Sequence, residues 1–179
     1  MTLIEQQFIE QEIAMGITPD NKEFVELAAS TIKQAKTMVP FGTLLDYGAG
    51  VGVYAEEARK AGYQVYVYEK FVAHRDFIGK RFPELEIIDE PITTDIMLFI
   101  EVAEHMTDKE LDTLFDTIRP GYILFSSTPH SAPNDKEWGH INIKQQGKWI
   151  EFFKQKGYDL HKYLFVPTHW ALMFKINST

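Results

Sequence analysis

Chemistry in this chain concentrates first in the run Thr43-Leu-Leu-Asp46-Tyr47-Gly48-Ala49-Gly50-Val-Gly52-Val53, with Glu69 seventeen residues after Gly52 at the end of a second apolar run. An apolar strand leads into an acid, then into glycines at every second position, then into a helical pattern. Glycine removes the Cβ that would block a ligand and permits the positive φ of a tight strand-to-helix turn. The start of the following helix adds unpaired N–H donors at the same point. An acid closing the neighbouring strand, here Glu69, suits a ribose diol. Together these residues point to a small molecule that carries a nucleoside.

The spacing narrows the choice of nucleoside. A dinucleotide fingerprint reads G-x-G-x-x-G/A, but Val53 stands where its last small residue would fall. Asp46, two positions before Gly48, would also set like charge against a pyrophosphate. An acid at that offset suits a cation or an amino-acid ammonium instead. A nicotinamide-dependent oxidoreductase is therefore disfavoured.

The second concentration is Asp95-Ile-Met-Leu-Phe-Ile-Glu101-Val102-Ala-Glu104-His105, a buried-strand pattern ending in two acids and a histidine. If the sheet is open and parallel, its carboxyl edge near the switch point is where ligands bind. Ser127-Thr128-Pro129-His130 follows the next apolar run, and Trp138-Gly139-His140-Ile-Asn142 precedes the last helical pattern. The stretch 128–142 lacks periodicity, which marks it as a functional loop, here expected to be a substrate lid, with Trp138 as a latch or an acceptor-stacking wall. His105 and His140 are the candidate general bases, since an unperturbed imidazole titrates near 6.5.

The elements that must position these groups follow from punctuation. An amphipathic helix is expected from Thr2 to about Ala14 with Ile4, Phe8, Ile9 and Ile13 on one face, broken by Gly16 and Pro19. Asp20 with Glu23 resembles a capping box opening a second helix to about Thr37. Strands are expected at 43–46, 64–68, 85–88, 95–100 and 122–127, alternating with helices at 54–61, 72–82 and 107–118, the last capped by Thr107 and Glu110. A helix over 143–156 then precedes β-rich runs at 158–166 and 169–176. The short Pro167-Thr168 link forces an antiparallel hairpin, because a parallel crossover needs a dozen or more residues. The fold class expected is α/β, a three-layer Rossmann-like arrangement with a mostly parallel seven-stranded sheet. One domain over 1–179 is expected, with 1–41 as a helical lid over the ligand side and 43–176 as the core.

The glycine run resembles motif I of the class I S-adenosylmethionine-dependent methyltransferases. The segment Glu101-Val102-Ala-Glu104-His105 resembles that of the small-molecule enzymes related to ubiquinone and menaquinone biosynthesis, with Ala103 in place of the usual Leu or Ile. The resemblance implies S-adenosylmethionine as cofactor and S-adenosylhomocysteine as product. It implies that the loop of Asp46, Tyr47, Gly48, Ala49, Gly50 and Gly52 cradles the methionine part. Glu69, with Lys70 beside it, would take the ribose, Asp89 would meet the adenine amino group, and Glu101 and Val102 would lie beside the cofactor. Methyl transfer from a sulfonium is an in-line displacement that needs alignment and exclusion of water. An oxygen acceptor would use a base, His105 or His140; a nitrogen acceptor with a free lone pair would not.

Glu101, Glu104, His105 and His140 also resemble the metal set of the RNA 3′-terminal 2′-O-methyltransferases, which would hold a divalent ion against a ribose hydroxyl. The same segment and later histidine occur in metal-free small-molecule relatives, so no metal is expected. The chain has 179 residues, 26 acidic against 18 basic, for a net charge of −8, which opposes a polyanionic partner such as nucleic acid. It has no cysteine, so disulfides and thiolate sites are excluded. No apolar run approaches the length of a membrane span, and a cytoplasmic location is expected. The reading is methyl transfer to an O or N atom of a small-molecule acceptor. Its alternative is a cofactor-binding module without turnover.

Overall fold

The computed structural model describes residues 3–131 and 138–177. Thr2, the side chain of Ile4 and residues 132–137 of the expected lid lie outside the described residues. The strands form one seven-stranded sheet in the order β3 (Glu86–Ile88), β2 (Gln64–Tyr68), β1 (Thr43–Tyr47), β4 (Ile96–Ile100), β5 (Tyr122–Ser126), β7 (Leu172–Ile176), β6 (Tyr158–Tyr163), as the sequence pattern predicts for this fold class. The chain divides into two compact units, Met1–Pro91 and Ile92–Thr179.

The first unit contains α1 (Leu3–Ala14), α2 (Lys22–Met38), β1 (Thr43–Tyr47), α3 (Val53–Lys60), β2 (Gln64–Tyr68), α4 (Val72–Arg81) and β3 (Glu86–Ile88). β1 pairs parallel with β2, Thr43 opposite Gln64 through Tyr47 opposite Tyr68, and β2 pairs parallel with β3. Leu44 and Leu45 are wholly buried, as expected for a strand covered on both faces. α2 buries Ala28, Thr31, Ile32 and Ala35 at helical spacing. Its cap differs from the expected Asp20: Asn21 is the N-cap and accepts from Glu23 N at 3.1 Å. Asp20 is drawn away by Arg81 of α4, 2.6 Å distant. On α1, Ile9 is buried and Phe8 half-buried, but Ile13 is exposed, so the apolar face is narrower than expected.

The second unit contains β4 (Ile96–Ile100), a 3-10 turn at Ala103–His105, α5 (Asp108–Thr117), β5 (Tyr122–Ser126), α6 (Gln146–Gln155), β6 (Tyr158–Tyr163) and β7 (Leu172–Ile176). β4 and β5 are parallel, whereas β7 runs antiparallel to both β5 and β6. Its core is aromatic. Phe115, Phe125, Trp149, Phe153, Tyr158 and Phe174 are buried, with Phe153 and Phe174 ring centroids 4.3 Å apart. α5 carries the full capping box expected of Thr107 and Glu110.

Two boundaries move for a stated reason. α6 begins at Gln146 rather than Ile143 because Ile141 N and Asn142 N donate to Glu104 O at 2.8 and 2.9 Å, holding the chain extended there. The β6–β7 connection is Leu164–Ala171 rather than Pro167-Thr168 alone. Thr168 and Trp170 are turned aside into hydrogen bonds described below instead of continuing a strand.

Candidate active site

In the first unit, β1 delivers the buried Asp46 and then turns sharply. Gly48, Gly50 and Gly52 all adopt positive φ (71°, 54° and 76°), a conformation that opposes any Cβ. They serve different ends. At Gly50 a Cβ would approach only the tip of Glu12 from α1, at 3.7 Å, so the loop backbone is bare there. At Gly52 a Cβ would stand 2.9 Å from Ile78 Cγ1, so this glycine packs α3 against α4. Gly48 N donates to Tyr68 O at 2.7 Å, and the rings of Tyr47 and Tyr68 stack at 4.8 Å.

Glu69 holds the loop from below. One carboxylate oxygen accepts from Gly50 N and the other from Phe71 N, each at 2.9 Å. Burial raises its pKa against those two hydrogen bonds. Asp46 is pushed up to about 7, chiefly by burial and then by the charge of Glu69; Ala55 backbone hydrogen bonding works the other way. Its Oδ2 is buried without a hydrogen-bond partner. A buried acid with an orphaned oxygen beside a second acid is an arrangement whose cost a cationic hydrogen-bond donor such as an ammonium could offset. Lys70 is exposed, and Asp89 is exposed and ion-paired with Arg75 at 2.6 Å.

α1 lies against this loop. Ile9 packs in one cluster with Val51, Val53 and Ala73, and the Phe8 ring contacts those of Phe71 and His74. Glu12 Oε2 is 2.8 Å from Nε2 of the buried His74. Burial opposes charge on the His74 ring, but the hydrogen bond and charge of Glu12 outweigh it and hold the pKa above the ordinary value.

In the second unit, the segment after β4 gathers polar groups. Glu101 has φ 52°, the one positive value outside glycine among the described residues. Glu101 Oε1 accepts from Ser126 Oγ and, at 3.2 Å, from Trp170 Nε1; Ser126 Oγ in turn lies 2.8 Å from Thr168 Oγ1. Val102 is half-buried and starts the 3-10 turn. Glu104 is wholly buried; Oε1 accepts from Thr128 N at 3.2 Å, while Oε2 accepts no hydrogen bond. Burial, then the neighbouring Glu101 charge, raises its pKa far above the carboxylate range, and a side-chain hydrogen bond shared with Glu101 works in the same direction, so the protonated carboxyl has Glu101 as its partner. His105 and His140 meet edge to face at 4.8 Å. Burial, then the charge of His140, pushes His105 down to about 4, so its ring is neutral at physiological pH. Donor atoms of Glu104, His105 and His140 all lie within 4.8 Å of one another.

A family model described as a methyltransferase domain matches residues 20–164. The chain belongs to the methyltransferase-domain family. It is an S-adenosylmethionine-dependent methyltransferase, with S-adenosylmethionine as methyl donor. No curated protein sequence matches it. Solved structures of similar fold include the 1,6-didemethyltoxoflavin N1-methyltransferase of Burkholderia thailandensis with its acceptor and S-adenosylhomocysteine bound. That match has 12% identity and a TM-score of 0.68, over 98% of this chain and 88% of that one. Magnesium protoporphyrin IX methyltransferase of Synechocystis, with S-adenosylmethionine bound, matches at 15% identity and TM-score 0.63, over 95% and 84%. A putative RNA methyltransferase of Pyrococcus horikoshii matches at 14% and 0.57, over 84% of each chain.

Of the groups of this methyltransferase expected from sequence, Asp46 and Glu69 flank the glycine loop, and of Glu101, Glu104, His105 and His140 the last three converge while Glu101 is turned to Ser126 and Trp170. Glu12, His74, Ser126, Thr168 and Trp170 adjoin these groups without any local sequence signal. His74 sits inside a helix pattern and Trp170 in a hairpin link, and neither carries a local motif. No helix among the described residues is long and apolar enough to cross a membrane.

Proposed function

We propose that this methyltransferase transfers the methyl group to an oxygen or nitrogen of a small-molecule acceptor, and that the first unit holds the cofactor through Asp46, Gly48, Gly50 and Glu69. The orphaned, buried Oδ2 of Asp46 beside the bare backbone of Gly50 carries this reading, because that pairing suits a cationic, nucleoside-bearing ligand. When bound, the cofactor supplies an electrophilic methyl on a sulfonium. Asp46 balances its positive charge, and Glu69, which keeps lone pairs beyond its two backbone bonds, accepts from the ribose hydroxyls. α1 acts as a lid that excludes water, supported by Ile9 and Glu12 against the loop.

In the second unit, His105 and His140 are the proposed proton acceptors for an oxygen acceptor. The depressed pKa of His105 keeps it neutral and able to take a proton, at the cost of basicity. A small acceptor agrees with the −8 net charge, and toxoflavin and protoporphyrin enzymes of this fold act on small molecules by their names. Calorimetry with S-adenosylmethionine and S-adenosylhomocysteine tests the cofactor site: saturable binding lost in Asp46→Ala and Gly50→Val is expected. Undiminished binding in both variants would overturn the assignment. Release of S-adenosylhomocysteine on addition of metabolite fractions tests turnover.

A second reading, a metal-dependent one, is favoured by one observation, the convergence of donor atoms of Glu104, His105 and His140 within 4.8 Å. These donors suit a divalent transition ion more than magnesium, which prefers an all-oxygen set. Melting temperature after chelation, with and without Mn²⁺ or Mg²⁺, separates the two. A large metal-dependent gain abolished by His140→Ala would move the acceptor towards a vicinal diol.

A further inference from the structure

The connection from β6 to β7 does more than reverse the chain. Leu164 N donates to Ala171 O at 2.8 Å and Ala171 N to Thr168 O at 3.2 Å, so the segment is closed at its base and turned within. Gln146, at the start of α6, donates its side-chain amide to Trp170 O at 3.1 Å. With its indole N–H on Glu101, Trp170 is fixed at both backbone and ring. Fixing is expensive in side-chain freedom, and hydrophobic burial does not account for it, since Trp170 is only half-buried whereas Trp149 is 1% exposed. His130, exposed four residues beyond the end of β5, stands edge-on to the indole at 6.4 Å and 81°.

These groups make a corner with two kinds of surface. Its walls are two rings at a right angle, the arrangement in which a third ring can stack on one and meet the edge of the other. Its foot is polar: Glu101, Ser126 and Thr168 are linked by hydrogen bonds. The strained backbone of Glu101 marks the same place, because a positive φ in a residue with a Cβ persists only where the surroundings enforce it. A planar ring uses both features at once, stacking on one ring and meeting the edge of the other above the polar foot, whereas a saturated ring offers only C–H contact.

We infer that Trp170 and His130 form the wall of the acceptor subsite, and that the acceptor is a planar aromatic or heteroaromatic compound bearing a hydroxyl or amine. This rests on the small-molecule reading above. Trp170 is then a specificity-determining residue, held by Glu101 for stacking.

The test uses full-length protein saturated with S-adenosylhomocysteine and ¹⁵N-labelled in its indoles, the Trp170 signal being the one missing in Trp170→Phe. 2-Naphthol is titrated against decahydro-2-naphthol, which keeps the hydroxyl and loses planarity. The expected result is a saturable shift of the Trp170 signal by 2-naphthol and none by the saturated alcohol. Trp170→Phe should keep 2-naphthol affinity within about threefold, and Trp170→Ala should lose at least tenfold, about one 1.4 kcal/mol step. Affinity for S-adenosylhomocysteine should be unchanged in both. Equal shifts by the two alcohols, or no shift by either, overturn the inference in the parent protein, whatever the variants' folding. So does a loss of S-adenosylhomocysteine affinity in Trp170→Ala matching the loss for 2-naphthol, which would make the ring a cofactor wall. Failure of the parent to bind S-adenosylhomocysteine instead overturns the cofactor reading, a separate result.

Discussion

Glu12 and His74, 62 positions apart in the chain, are paired at 2.8 Å, and the same Glu12 carboxylate covers the bare backbone at Gly50. The N-terminal helix is thus tied to α4 over the glycine loop by one buried acid–imidazole contact. Glu12→Gln should destabilise the protein by roughly 1–3 kcal/mol, the range for breaking a charged hydrogen bond at a buried site. His74 has a folded-state pKa above 6.5, so its contribution is complete below 6.5 and is lost as pH rises through the folded value. Chemical denaturation from pH 6 to 9 should show that loss in the parent and a flatter profile in Glu12→Gln. Equal slopes would remove the pair from any role in holding α1.

Asp46 gives the opposite trade between stability and binding. Its pKa near 7 means that ionising it costs the folded state, so stability falls as pH rises from about 4 through about 7. Asp46→Asn should therefore stabilise the ligand-free protein at pH 8 by on the order of 2 kcal/mol while weakening cofactor binding at least tenfold. Melting curves and calorimetry on one preparation read both, and a variant that is less stable at pH 8 would contradict the account.

Gly50 and Gly52 should separate in mutagenesis. Gly52→Ala meets both a positive φ and Ile78 at 2.9 Å, and is expected to cost about 2–3 kcal/mol, lowering Tm by roughly 5–10 °C. Gly50→Ala meets the same positive φ but only ordinary contact with Glu12 at 3.7 Å, so its stability loss should be smaller and its cofactor loss larger. Two variants with the same ratio of melting shift to affinity loss would show that the glycines are not divided in this way.

His105 and His140 should differ in turnover once an acceptor is in hand. If either takes the acceptor's proton, its replacement by Ala should lower kcat at least about 100-fold with S-adenosylhomocysteine affinity within threefold. Retained kcat in both single variants would point to a nitrogen acceptor that needs no base.

Much of this was legible in the sequence because it is local. A run such as Ile96–Phe99 is apolar without alternation and becomes a strand buried on both faces. Thr107 and Glu110 meet across one helical turn, so their cap could be read directly. What escaped reading is decided at long range. Asp20 is taken by Arg81, the start of α6 is delayed by the Glu104 carbonyl, and the hairpin link is bent by Glu101 and Ser126. The site divides the same way. The glycines announce themselves by spacing, whereas Glu12, His74 and Trp170 acquire their surroundings only when distant segments meet.

Glu69 ties Gly50 N to Phe71 N through its two oxygens. If Glu69 takes the ribose as proposed, one acid both binds the cofactor and braces the loop, and the two duties are coupled. A lineage that replaced Glu69 with a basic or small residue, to admit a phosphorylated nucleoside, would lose the shape of the loop in the same step. On that proposal the choice of cofactor is coupled to the folding of the loop.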